Sequence, residues 1–169
     1  MANTQAMVTG FMGKLMTGTH NFGTGVIRAS TAADTYYAAL LLASGTFNAS
    51  SSDYTGTIGS STMSGEVSGT GYTAGGVAIT NANPPTATNS SATAGVAFWT
   101  PSASITYTTV TLATAFDAVM IYNSTQGTGG AYPAVSIHTF GSQTITAGTF
   151  TLTMPTNDTT NALIRLATT

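Results

Sequence analysis

The sequence contains two histidines and no cysteine, the side chains that most often bind zinc or act as bases near neutral pH. His20 and His138 fall in different predicted elements, so a zinc site would need carboxylates that only folding could bring to them. His138 lies in a predicted strand, where a hydrogen-bonded or exposed residue of the sheet is the preferred interpretation. The sequence therefore predicts no metal site and no cofactor.

The carboxylates are scattered along the chain, at Asp34, Asp53, Glu66, Asp117 and Asp158. No near pair suggests the two-carboxylate arrangement of a glycosidase, although folding could create one. The sequence also lacks G-x-S-x-G, the motif that would present a nucleophilic serine. We therefore predict no catalytic residues and a protein that is not an enzyme.

Asp117 is the most unusual of these acids because apolar residues of a predicted strand follow it directly. The preferred interpretation is an acid exposed at the start of the strand, or one bonded to a turn N–H. The alternative is a salt bridge to Arg28 or Arg165, possible also across an interface.

The glycine-rich residues 64–76 resemble a phosphate-binding loop only superficially. Gly69, Gly71 and Gly75 do not have the spacing of a dinucleotide fingerprint, and a strand rather than a helix is predicted to follow. Without a helix N-terminus there is no set of free N–H groups to bind phosphate. The glycines instead predict a turn with positive φ and a bulge.

The composition indicates an all-β protein. Of the 169 residues, 42% are hydrophobic and only 5% are charged, and threonine, which favours strands, carries much of the polarity. The net charge of −2 includes only three cations, so nucleic acid is an unexpected partner. No apolar run is long enough to span a membrane, and no signal peptide is recognisable, so we expect a product made in the cytoplasm without cleavage.

The strands follow from alternating and continuous apolar runs. Residues 116–122 are apolar on both faces, which predicts a central strand covered on both sides. The apolar phase shifts between Tyr107 and Val110, which predicts a bulge. Further strands are predicted at 26–28, 35–43, 77–80, 95–100, 105–113, 134–140, 143–147, 149–154 and 161–167, with a proline-containing loop at 81–94. Residues 24–169 are therefore predicted to form one antiparallel β-sandwich, of jelly-roll or immunoglobulin-like type.

Residues 1–23 are predicted to form an N-terminal helical arm, with a helix at 4–17. Its apolar side chains form one stripe, and a short helix needs a surface to pack on. The stripe could cover the protein's own sandwich or dock on a neighbouring subunit, and methionine suits an adaptable contact. We favour docking by a modest margin. The resulting interface candidates are Met7, Val8, Phe11, Met12, Leu15 and Met16.

Three passages resemble a family of small virion proteins of tailed bacteriophages: SGTGYTAGGVAIT (68–80), AFDAVMIYN (115–123) and HTFGSQTITAGTFTLTMP (138–155). In that family, Gly-Tyr-Thr-Ala-Gly-Gly precedes a strand, and Thr-Ala-Gly-Thr-Phe links the last strands. The resemblance covers roughly residues 35–167 and implies no catalytic residues. A helical N-terminal segment is not general in the family.

The resemblance implies a location in the virion. The first hypothesis is a capsid cement or decoration protein, a homotrimer that contacts the major capsid protein or other virion proteins. The second is a head-fibre, tail-knob or fibre-base module, with glycan binding as an option that Trp99 or tyrosines on an exposed loop would favour. The third, a carbohydrate-active enzyme, lacks paired acids.

Overall fold

A computed structural model describes residues 2–16, 19, 20, 22, 33–80, 85–90 and 93–167. In this part of the chain there is one helix, α1 (Thr9–Met16), and the strands all pair antiparallel. The strands are β1 (Ala6–Met7), β2 (Tyr36–Leu42), β3 (Asp53–Tyr54), β4 (Val77–Ala78), β5 (Thr86–Ser90), β6 (Thr93–Trp99), β7 (Ile105–Asn123), β8 (Tyr132–Leu152) and β9 (Ile164–Ala167).

The strands form two sheets that share one core. The larger sheet has the order β1-β8-β7-β2-β4, with β3 also paired to β8, and the smaller has the order β5-β6-β9. Trp99, at the end of β6, packs against Phe22 and Tyr36, with ring centroids 4.7 and 6.0 Å away, and so joins the smaller sheet to the larger one. The predicted fold, all-β and sandwich-like with a short N-terminal helix, is confirmed.

Strand β7 lies at the centre of the larger sheet, between β8 and β2. Val119 is directly opposite Leu40 on one side and His138 on the other. The apolar side chains of residues 116–122 are at most 3% exposed. The prediction of a central buried strand is therefore confirmed, because a run that is apolar on both faces fits only a covered position.

The predicted bulge is also present. The register between β7 and β8 shifts between Tyr107 and Val110, and Thr109 there has a φ of 54°. The glycine-rich segment likewise has the predicted positive φ values, at Gly71, Gly75 and Gly76. At Gly76 a Cβ atom would overlap the Ala38 carbonyl oxygen, so only glycine fits.

Several predicted strands merge. Residues 105–113 and 116–122 both belong to β7, and the strands predicted at 134–140, 143–147 and 149–154 lie mostly in β8. Gly141 and Gly148 do not end β8, because glycine weakens a strand without removing its ladder hydrogen bonds. The result is one long hairpin of β7 and β8, whose register absorbs the irregularities as bulges.

Two further elements differ from their predictions. The predicted loop 81–94 contains β5, which begins directly after Pro85 at the edge of the smaller sheet, where a missing N–H is tolerated. The predicted helix 4–17 is shorter, because Ala6 and Met7 instead pair with Ile137 and Ser136 of β8. The strand predicted at 26–28 and the boundary predicted after residue 23 lie outside the described residues.

Candidate functional site

The N-terminal segment is tied to the larger sheet by Asn3. Its side-chain amide donates to the Asp117 carboxylate at 2.6 Å and to the Leu42 carbonyl at 3.1 Å, and its oxygen accepts from the Phe47 N–H at 3.1 Å. Asp117 is half-buried and accepts from this side-chain amide, so the preferred interpretation, an exposed acid or one bonded to a turn N–H, is wrong. Among the described residues it forms no salt bridge to Arg165, and Arg28 lies outside them. Asn3 thus fixes the first residues of the chain to the sheet, although it belongs to no recognisable sequence motif.

Two of the six interface candidates are buried in the chain's own core. Val8 and Phe11 are each 1% exposed, and the Phe11 ring lies 5.0 Å from His20 and 5.9 Å from Phe22 between centroids. The Val8 N–H also donates to the Val135 carbonyl at 3.1 Å. For these two residues the structure therefore differs from the predicted interface, since they cover the protein's own sandwich in this conformation.

The remaining candidates divide by exposure. Met12 is 49% exposed, and Met7 and Leu15 are half-buried. The Met16 side chain lies outside what the structure describes. Because Met12 and Leu15 are three residues apart, they are neighbours on the α1 surface. The outward apolar surface of the segment is therefore centred on Met12.

An apolar groove of about 110 Å³ adjoins this helix. Leu15 lines one side, and Phe98 of β6 and Leu166 of β9 line the other. Leu166 is itself 38% exposed. Among the described residues, the helix and the smaller sheet thus present apolar side chains to solvent next to each other, which is typical of a protein contact surface.

The most elaborate polar cluster surrounds Glu66, which is only 4% exposed. One carboxylate oxygen accepts from the Tyr54 hydroxyl at 2.8 Å and the Met63 N–H at 2.9 Å. The other accepts from the Tyr72 hydroxyl at 2.8 Å and the Gly75 N–H at 2.7 Å. Both oxygens of this buried side chain thus accept two hydrogen bonds each, so Glu66 acts as a structural anchor for the groups around it.

The tyrosines around Glu66 are held as hydrogen-bond donors. Burial, and then the neighbouring Glu66 carboxylate, raise the pKa of Tyr54, Tyr72 and Tyr107 well above the ordinary phenol value. The Tyr107 hydroxyl donates to the Ala38 carbonyl at 2.7 Å, and the Tyr122 hydroxyl donates to the Gly75 carbonyl at 2.8 Å. These phenols therefore stay protonated. Tyr107 joins β7 to β2, and Tyr122 joins β7 to residues 63–76.

A second buried polar cluster lies at the end of β7. The Asn123 amide donates to Asp34 Oδ2 at 2.7 Å and lies 3.2 Å from His20 Nδ1. Because an amide NH₂ only donates, Nδ1 accepts this bond. The Asn123 oxygen in turn accepts from the Thr125 and Gln126 N–H groups, so the cluster closes the end of the strand.

His138 is a half-buried residue of β8, 2.9 Å from the Ser136 hydroxyl. The prediction of a hydrogen-bonded sheet residue is confirmed. Burial disfavours the charged ring and lowers the pKa of His138 to about 4 from 6.5. The ring is therefore neutral at pH 7.

This pKa predicts an acid-sensitive contribution to stability. Between pH 6.5 and about 4 the unfolded chain binds a proton at this ring and the folded chain does not. The contribution of the neutral ring to the free energy of unfolding is therefore fully present above pH 6.5. As the pH falls towards 4, about 3 kcal/mol of this free energy is lost. In urea unfolding at a series of pH values, His138→Gln should show a shallower loss between pH 6.5 and 4 than the wild type. Equal slopes for the two proteins would contradict the assignment.

The aromatic side chains that would favour glycan binding are mostly inside the protein. Trp99 is 2% exposed, and Tyr36, Tyr54, Tyr107 and Tyr122 are buried. The other tyrosines are half-buried: Tyr37, Tyr72 and Tyr132. Trp99 therefore serves the core rather than an exposed loop.

In the described ranges, no three His, Cys, Asp or Glu side chains come together as metal ligands. None of these residues forms a helix with the length and apolar character that a membrane crossing requires. No protein-family model, curated protein or solved structure matches the chain.

Proposed function

We propose that the protein is a structural component of a tailed-phage virion, and specifically a capsid cement or decoration protein. It would stabilise the shell through contacts with the major capsid protein or other virion proteins, as a homotrimer. Neither nucleic acid nor a membrane is part of the proposal. The resemblance of residues 68–80, 115–123 and 138–155 to small virion proteins supports it.

These three passages correspond to the framework of the fold. Residues 115–123 are the C-terminal part of β7, and residues 138–155 include much of β8. Residues 68–80 contain β4 and supply two of the donors to Glu66, Tyr72 and Gly75. The support is therefore a similarity of framework, with no catalytic residue carried over. A framework to which the resemblance brings no catalytic residue fits a protein whose role is to hold other proteins together.

The observation that carries the proposal is the exposure of Met12. It is 49% exposed beside the half-buried Leu15, on a chain with only 5% charged residues. Leu15 also lines the neighbouring apolar groove, which is bounded by Leu166 as well. A nearly uncharged protein with exposed apolar residues gains free energy by association and has little charge repulsion to oppose it.

The second location, a head-fibre, tail-knob or fibre-base module, draws on the same resemblance and the same surface. It differs from the first in where the protein sits in the particle and in allowing a glycan as a ligand. We place the capsid first because the exposed apolar residues lie on a compact sandwich, which suits a subunit seated on a shell.

The proposed contact predicts that Met12→Glu disrupts association without unfolding the protein. Met12 is half exposed, so a carboxylate there stays hydrated, while it opposes burial against a partner. Analytical ultracentrifugation over a concentration series should show a weaker oligomer for Met12→Glu, with an unchanged melting temperature.

Two further variants separate contact from folding. Thr146→Glu, an exposed threonine of β8, should associate like the wild type. Phe11→Ala should lower the free energy of unfolding by about 3–5 kcal/mol, because it empties a buried site. A monomeric wild type at all concentrations, or an unchanged oligomer in Met12→Glu, would contradict this contact.

A further inference from the structure

A polar concavity of about 530 Å³ lies between two loops on the outer side of the Glu66 cluster. One loop is formed by residues 59–62 and the other by residues 68–74. Its volume lies within the range of small-molecule sites, roughly 300–1,000 Å³. Aliphatic hydroxyl groups dominate the lining, and none of the lining residues is charged. The hydroxyl-bearing residues besides Tyr72 are Ser60, Ser61, Thr62, Ser68 and Thr73.

The two loops are fixed to each other and to the sheet. The Gly59 N–H donates to the Ala74 carbonyl at 2.8 Å, which joins one loop to the other. The first loop is closed by a bridge between Thr57 and Ser61, and the second is held to β7 by the bond from the Thr111 N–H to the Thr70 carbonyl at 2.9 Å. The walls of the concavity are thus pre-organised, which lowers the entropic cost of binding.

Tyr72 gives the concavity one aromatic surface. Its ring stacks against Tyr107, with centroids 6.0 Å apart and an interplanar angle of 18°. Its hydroxyl donates to Glu66 at 2.8 Å and accepts from the Leu40 N–H at 3.0 Å. The hydroxyl is therefore committed to the interior, and the ring itself, half-buried, is what Tyr72 offers to the concavity.

We propose that this concavity binds a neutral saccharide. A sugar presents several hydroxyl groups that both donate and accept, and serine and threonine hydroxyls together with loop backbone groups match them. A sugar also has an apolar C–H face, which packs on an aromatic ring. An apolar ligand would leave the hydroxyls unpaired, and an anionic ligand would find no cation among the lining residues.

The site shares no residue with Met12 or the apolar groove, so the inference does not depend on the proposed virion function. If no saccharide bound, the result of the association experiment would be unaffected. A free oligosaccharide and the same glycan on a cell surface would present the same chemistry.

The test is binding to an array of neutral oligosaccharides and their sialylated and sulphated counterparts. The wild type should bind at least one neutral glycan, and the same free oligosaccharide should compete in solution. Competition by the free sugar would assign binding to the glycan alone, whereas binding seen only on whole cells and not competed by it would overturn the proposal.

Thr73→Arg is the blocking variant, because Thr73 is exposed at the rim and an arginine side chain there fills the concavity. It should reduce binding at least tenfold with an unchanged melting temperature. Thr146→Arg makes the same change on exposed β8 and should bind like the wild type. The proposal is overturned by binding to no neutral glycan on the array, by a preference for the anionic glycans, or by equal binding of the two variants.

Discussion

Replacing Val119 by aspartate is expected to abolish folding. Val119 is 3% exposed in β7, with Leu40 and His138 directly opposite on the two neighbouring strands. The His138 ring opposite is neutral at pH 7 and supplies no positive charge, so a carboxylate here would have to be buried charged or protonated. Either form costs several kcal/mol. Since a domain of this kind has only about 5–15 kcal/mol of net stability, that cost removes most of it.

The measurement is a thermal melt followed by circular dichroism, together with the soluble fraction on expression. Ala113→Asp is the matched control, because Ala113 is exposed on the same strand. It should melt cooperatively close to the wild-type temperature. A soluble Val119→Asp protein with an unchanged melting profile would show that β7 is not the centre of the core.

Glu66→Gln is expected to lower the free energy of unfolding by about 3–5 kcal/mol. The change keeps the shape of the side chain but replaces one acceptor oxygen with an NH₂ group. That group must face either the donors from Tyr54 and Met63 or those from Tyr72 and Gly75. Two buried donors then lose their acceptor, at about 1–3 kcal/mol each.

Urea unfolding at pH 7 measures this loss, and Asp53→Asn provides the control. This substitution also removes a carboxylate, but the partner of Asp53 is the Lys14 ammonium, whose Nζ lies 3.3 Å from Asp53 Oδ1 near the surface. A partly exposed ion pair of this kind contributes at most about 1 kcal/mol. If the two variants lose the same stability, Glu66 is not the anchor of residues 63–76.

The parts of the fold that could be predicted are those that local sequence determines. Residues 116–122 are apolar on both faces, and this pattern requires cover on both sides wherever the strand pairs. The phase shift between Tyr107 and Val110 predicted the bulge, because side chains alternate strictly along a strand and an extra residue breaks the alternation.

The Glu66 cluster could not be predicted, because its members come together only through the tertiary fold. Tyr54 and Gly75 lie twelve and nine residues from Glu66, at no motif spacing. In sequence, Glu66 is one acid among serines and glycines. The only available signal was an isolated acid in a segment with an unusual number of glycines, and that signal does not name the tyrosine partners.

The N-terminal apolar stripe could be predicted only in part. The apolar periodicity of residues 7–16 indicated which face of a helix is apolar, but not what covers that face. The structure divides the stripe, with Phe11 in the core and Met12 at the surface, although the two residues are adjacent. Which of the two residues is buried depends on how the helix packs against His20 and Phe22.

The most direct test of the proposed function is the position of the protein in a particle. Phage particles from a culture that produces the protein would be purified, labelled with a gold-conjugated antibody against it and imaged by electron microscopy. We expect label distributed over the capsid shell. Label confined to the tail or to fibres would move the protein to the second location, and purified particles that contain none of the protein would contradict a virion role altogether.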